Sequence, residues 1–356
     1  MAKLILHIGG HRTGSTSIQK SLCEGRERLR ECGVLYPETG LITVAHHLLG
    51  FSLGNHVTEF NSQEIPKIEA LLAELAGEVA DSGCETVLMS SETLCELHPK
   101  RGDSKVHEGL QRFFTNFDEV RILHFVRHQV PLLESRYKFE TLWVRSALTM
   151  AFPEYVQFRM VRSPLGYLEQ EQFFRSVRPD IAYEFVSFAE ASKTGSLIRH
   201  FYQRSGITDA YTREVQINES LSRDGTLAIW MWIRGMVPSG WTREEFVAWA
   251  RQTFPEPQDS LYDADLLEAV AARYAASNAE LLAHKGIDLG VELAEFRQKY
   301  RLCGSTPAPE FEAQLRDLPE PSPEPPMAEL PPTPAPPPPP PMGWKTRLRR
   351  YLSLSS

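Results

Sequence analysis

The sequence predicts an α/β fold, with a mostly parallel central sheet flanked by helices and a helical region towards the C-terminus. Two observations predict it. Short apolar runs of strand length alternate with segments of helical spacing over the first half of the chain. The 356 residues are also enough to bury a sizeable core.

In chain order, "KLILHI" (3–8) reads as a buried strand, and residues 15–24 as the helix that follows it. "IPKIEALLAELAGEVADSG" (65–83) repeats apolar residues at helical spacing and ends at a glycine. "ETVLMSSE" (85–92) is a second buried strand, "HEGLQRFFTNF" (107–117) a helix, and "EVRILHFVR" (119–127) a third strand. Pro131 in "VPLLESRYKFETLWV" (130–144) suits a helix's first turn. Beyond residue 150 the pattern loosens. It gives helices at 165–177 and 194–206, a strand at 181–188, and a mostly helical stretch from Ser222 to about Gly286, expected to be a cap or extension packed on the sheet domain. The expected domain covers residues 1–304.

Of residues 319–341, 14 are proline, which excludes both helix and central strand. A disordered, extended polyproline linker is expected over 305–341. Residues 342–356, "MGWKTRLRRYLSLSS", carry four basic and no acidic residues among Trp344, Leu348, Tyr351 and Leu352. Such a short basic amphipathic tail can lie on an anionic membrane surface or dock on a protein; the plainer expectation is a solvated tail.

A net charge of −8 argues against a nucleic-acid partner, so any anion site must be a local concentration of positive charge. The five cysteines form no C-x-x-C pair and are odd in number, which favours reduced thiols in the cytoplasm. No signal peptide or membrane-crossing stretch is read. No histidine or cysteine spacing fits a metal centre, so no metal is expected.

The loop "GGHRTGSTS" (9–17) carries the most chemistry. Gly9 and Gly14 have the spacing of G-x-x-x-x-G-K-[ST], but serine stands in the lysine position and the cation is Arg12, inside the loop. Glycines let several backbone N–H groups converge on one anion, and the start of the next helix adds its dipole. Thr13, Ser15, Thr16 and Ser17 add hydroxyls, and Arg12 an always-charged fork. The plain alternative is a glycine turn whose hydroxyls cap the helix.

Arg12-Thr13-Gly14-Ser15-Thr16, followed by Ser17-Ile18-Gln19, resembles the 5′-phosphosulfate loop of sulfotransferases that use 3′-phosphoadenylyl sulfate (PAPS), which reads [KR]-[ST]-G-[ST]-[ST]. Arginine departs from the bacterial K-T-G-[ST]-T pattern and is similar to the loop of many carbohydrate sulfotransferases. "VRHQVPLLES" resembles the family's 3′-phosphate motif, a strand-end arginine with a serine eight residues on, here Arg127 and Ser135. "VLMSSETL" (87–94) and "QINESLS" (216–222) are weaker echoes. The resemblance spans roughly residues 3–300 and omits the proline segment.

It implies a P-loop NTPase-like sulfotransferase fold and transfer of a sulfuryl group from PAPS to a hydroxyl acceptor, tilted towards a saccharide or glycoconjugate, with no metal required. Arg12 would stabilise charge on the leaving phosphate, Thr13 to Ser17 would hold the phosphosulfate, and His11 could touch the donor. Arg127 and Ser135 would hold the 3′-phosphate. The acceptor base would be Glu92, His46 or His47, whereas His7, inside a strand, reads as a core residue. The implied location is the cytoplasm, with membrane association through residues 342–356 as an option. Two other readings stay open: a P-loop small-molecule kinase, which would need the missing lysine, and a nucleotide-binding scaffold recruiting partners through its prolines.

Overall fold

The computed structural model describes residues 2–10, 12–54, 65–97, 104–143, 150–162, 165–211, 213–214, 220–237, 240–255, 258–316 and 318. The chain divides into two compact units. The first comprises Met1–Arg136, Val156–Glu219 and Asp265–Lys299; the second comprises Tyr137–Tyr155, Ser220–Ala264 and Tyr300–Ser356.

The first unit is built on five strands: β1 (Ala2–Gly9), β2 (Val34–Leu35), β3 (Thr86–Ser90), β4 (Phe117–Val126) and β5 (Ala182–Ser187). Their order is β2-β3-β1-β4-β5, and every pairing is parallel. Every residue of β1 except Lys3 is buried, as a strand covered on both faces requires. The core joins Ile5, Leu88, Leu123 and Phe125 of the sheet to Ile18 and Leu22 of helix Ser15–Glu24 and to Phe201 and Tyr202 of helix Leu197–Ser205.

Strand order places the site. From β1 the chain runs out to β2 and back to β3 on one side, then crosses to β4 and β5 on the other. The C-terminal end of β1 is therefore the switch point, where open parallel sheets form a crevice. Residues leaving the ends of β3 and β4 flank the loop that leaves β1.

The predicted strands are present. The two-residue edge strand β2 was not predicted, because it is too short for its alternation to register. The stretch expected to be one helical region from Ser222 to Gly286 is divided between the units. Helices Arg223–Ile233 and Arg243–Thr253 belong to the second unit, whereas almost all of Ala264–Lys285 belongs to the first. The second unit has its own core of Leu221, Ala228, Ile229, Met231, Phe246 and Ala250. Helix Arg243–Thr253 opens with a capping box between Thr242 and Glu245.

Leu315 completes that second core and corrects the expected linker boundary. Residues 305–316 are not polyproline linker, since helix Pro309–Arg316 lies there with Leu315 fully buried. Phe311 and Leu315 stand one turn apart and pack on the same cluster, and Pro309 sits at the start, where a helix tolerates proline. The polyproline run and the basic tail lie outside the described residues.

Candidate active site

The loop after β1 closes by a turn. The Thr13 amide and hydroxyl both donate to the Gly10 carbonyl, at 3.2 and 2.8 Å. Two glycines are needed for different reasons. A Cβ on Gly9 would lie 2.6 Å from Thr13 Oγ1. Gly14 is left-handed at φ 78°, and a Cβ there would lie 2.0 Å from Leu197 Cδ2. Gly14 is also the N-cap of helix Ser15–Glu24 and accepts the amides of Ser17 and Ile18. The Ser15 and Thr16 amides lie in the first turn, where a helix offers no acceptor of its own.

Arg12 is left-handed too, at φ 73°. For a side chain with a Cβ that conformation costs about 1–2 kcal/mol. Its side chain and carbonyl join the loop to the end of β4. Arg12 Nε donates to Ser135 Oγ at 3.0 Å, and Arg127 Nη1 donates to the Arg12 carbonyl at 3.2 Å. The loop and the Arg127/Ser135 pair, more than a hundred residues apart in sequence, are thus hydrogen-bonded to each other. Burial, and then the neighbouring Arg127 charge, push the Arg12 pKa down. Two guanidinium groups repelling each other beside a helix N-terminus form an arrangement that an anion would relieve.

Arg127 is held from several directions. Its guanidinium lies over the Phe188 ring, 5.0 Å from the centroid. The Tyr167 hydroxyl accepts the Arg127 amide at 3.3 Å and donates to the Arg127 carbonyl. Glu292 accepts from Arg127 Nε at 2.6 Å and, through its other oxygen, from the His128 amide at 2.7 Å. His128 in turn caps helix Gln129–Trp143, with Nδ1 accepting the Val130 amide and its carbonyl the Leu132 amide.

On the β3 side, Glu92 begins a 3-10 turn, Glu92–Glu96, directly after the strand. Its buried carboxylate accepts from Ser15 Oγ at 2.5 Å and from Gln19 Nε2 at 2.7 Å. Gln19 also donates to Ser90 Oγ at 3.1 Å, and Ser90 Oγ is 2.7 Å from His7 Nδ1. A polar chain thus runs under the loop from His7 in β1 to Glu92. His47 Nε2 lies 3.7 Å from Glu92 Oε2, and the His47 side chain is 25% exposed.

The two neighbouring histidines differ sharply. His46 is fully buried, and its Nδ1 accepts the Ser90 amide at 3.1 Å, which fixes the proton on Nε2. Nε2 then donates to the Pro37 carbonyl at 3.0 Å. Burial pushes its pKa down to about 3. His46 is therefore a brace between the β3 end and the 37–47 loop, and the expectation that it supplies a base is corrected. His11 lies outside the described residues, as do residues 215–219, which hold most of "QINESLS".

Sequence reasoning missed Glu292 and Phe188 altogether. It quoted Gln19 and Ser90 inside motifs and gave them no role. A signal existed for those two, a polar pair at buried-face positions of a helix and a strand. For Glu292, 165 residues beyond Arg127, there was none.

No protein-family model matches the chain, and no curated protein is similar to it at a significant level. Among solved structures the chain is similar to a sulfotransferase from Alicyclobacillus acidocaldarius. The identity is 15% and the TM-score 0.46, over 82% of this chain and 98% of that one.

Proposed function

We propose that this protein is a sulfotransferase that moves a sulfuryl group from PAPS to a hydroxyl acceptor. The carrying observation is the interlock of the two anion motifs, Arg12 Nε on Ser135 and Arg127 Nη1 on the Arg12 carbonyl. A donor with a phosphosulfate at one end and a 3′-phosphate at the other needs two anion sites held at fixed separation. The loop amides, hydroxyls and Arg12 suit the first; Arg127, with Ser135 on the next helix, suits the second. The Ser15 hydroxyl stands where a kinase loop would carry lysine, and it is engaged by Glu92.

In such a transfer the acceptor oxygen bonds to sulfur as the bridging S–O bond to the phosphate breaks, and the hydroxyl proton leaves to a base. Sulfuryl transfer is similar to phosphoryl transfer in passing through a loose transition state, so the protein's work is alignment and charge stabilisation. Arg12 stabilises charge building on the leaving phosphate. The base is assigned to the Glu92–His47 pair, Glu92 orienting the more exposed imidazole. A saccharide or glycoconjugate is the acceptor class favoured by the arginine in the loop. A cytoplasmic location, and membrane or protein contact through residues 342–356, complete the reading; among the described residues no helix is long and apolar enough to cross a membrane.

Adenosine 3′,5′-bisphosphate, the second product, should raise the thermal midpoint; at a hundredfold excess over Kd the stabilisation is about 2.7 kcal/mol. Arg127→Ala is expected to abolish most of that shift while reducing the shift given by adenosine 5′-phosphate much less. Equal shifts from the bisphosphate in parent and variant would remove Arg127 from the site.

Glu92→Gln is expected to keep the fold and the bisphosphate shift while lowering kcat about 10²-fold or more, the usual worth of a positioned base system. Steady-state kinetics with an identified acceptor decides it, and a kcat within threefold of the parent would refute the assignment.

A further inference from the structure

We propose that Glu292 is an internal counter-anion seated on Arg127, the 3′-phosphate anchor, and that it loosens the hold of the site on the adenosine bisphosphate product. The inference rests on the donor reading above. Glu292 lies in the first turn of helix Gly290–Lys299 and is buried. One of its oxygens takes Arg127 Nε–H at 2.6 Å and the other takes the His128 amide at 2.7 Å, at the entry to helix Gln129–Trp143. A guanidinium paired with a backbone N–H before a helix is how a protein grips two oxygens of a phosphate. Here both oxygens come from the chain itself.

An orienting role alone does not account for the carboxylate. Arg127 is already fixed by the Arg12 carbonyl at 3.2 Å and by the Phe188 face at 5.0 Å, and its backbone by Tyr167. What Glu292 adds is negative charge on the anchor. A dianionic phosphate must displace that carboxylate or sit beside it, and either weakens binding. Donor and product share the 3′-phosphate, so the same weakening speeds product departure, often the slow step of a well-evolved enzyme.

The test uses the full chain with Glu292→Gln, nearly isosteric, whose side-chain oxygen can still accept the His128 amide. Calorimetric Kd values are measured for adenosine 3′,5′-bisphosphate and adenosine 5′-phosphate, beside the thermal midpoint without ligand. The variant is expected to bind the bisphosphate at least tenfold more tightly and the 5′-phosphate within twofold of the parent, while its own midpoint falls. A merely structural residue would lower the midpoint without tightening either ligand. Should Glu292→Gln not fold, Glu292→Asp, which draws the charge back by one methylene, is read the same way with a gain of at least threefold. Unchanged or weaker bisphosphate binding in the variant, with the parent binding it, overturns the counter-anion and leaves the donor reading standing. Absence of bisphosphate binding in both takes down the donor reading and this inference with it.

Discussion

Arg12→Ala is expected to lower sulfuryl-transfer turnover by about 10²–10³-fold in a protein that remains folded. That is the usual loss when one preorganised donor to transition-state charge is removed. The effect has two sources. On the proposed mechanism the guanidinium no longer meets charge on the leaving phosphate, and its Nε bond to Ser135 is lost, which loosens the link between the β1 loop and helix Gln129–Trp143. Arg12→Gly separates catalysis from stability. Glycine adopts φ 73° without strain, which offsets the lost Ser135 bond, so this variant should melt above the alanine variant by scanning calorimetry and yet turn over as slowly. Turnover of either variant within tenfold of the parent would remove Arg12 from the chemistry.

The second large effect is acid lability of the sheet unit. Four of its histidines are buried and neutral: burial pushes His7 and His128 down to about 4, and His46 and His124 down to about 3. For His7 burial outweighs the opposing pull of Glu92; for His124 and His128, His7 and Arg297 respectively add to the lowering. In the unfolded chain each would take a proton near 6.5. Between about pH 4 and 6.5 the unfolded state therefore binds more protons than the native one, and stability rises with pH across that window. It is full above 6.5 and falls as the pH drops, by about 1.4 kcal/mol per pH unit for each histidine. Against a total stability of about 5–15 kcal/mol, four such groups suffice to unfold the unit before pH 4. Circular dichroism with pH titration should show a cooperative transition centred at about pH 5 with net proton uptake. A native signal persisting at pH 3.5 would contradict it.

Much of the fold was legible because its signals are local. "KLILHI" and "ILHFV" are short, mostly apolar runs of strand length between helical segments, the pattern of strands buried on both faces. The loop was legible for the same reason: Gly9, Arg12 and Gly14 shape their own backbone within a few residues. Arg127 and Ser135 were legible through resemblance alone, that of "VRHQVPLLES" to the 3′-phosphate motif of sulfotransferases. The edge strand Val34–Leu35 was not, having two residues and no period. The helix at Pro309–Arg316 was masked by the proline-rich composition that follows it, and only burial of Leu315 shows what the segment does.

The histidines show the limit most clearly. His46 and His47 are adjacent and chemically identical, and nothing local tells which of them could serve as a base. The Ser90 amide and the Pro37 carbonyl claim one ring, while Glu92 lies 3.7 Å from the other. Glu292 is the same case over a longer distance. By itself the sequence determined the strands, their alternation with helices, and an arginine loop at the end of β1, because sterics and hydrophobic patterning act between near neighbours. Only the tertiary structure decided that Arg12 would meet Ser135, that His46 would be a brace, and that a carboxylate from helix Gly290–Lys299 would sit on Arg127. Those outcomes depend on the strand order around β1 and on which polar groups, once buried, must find partners across the fold.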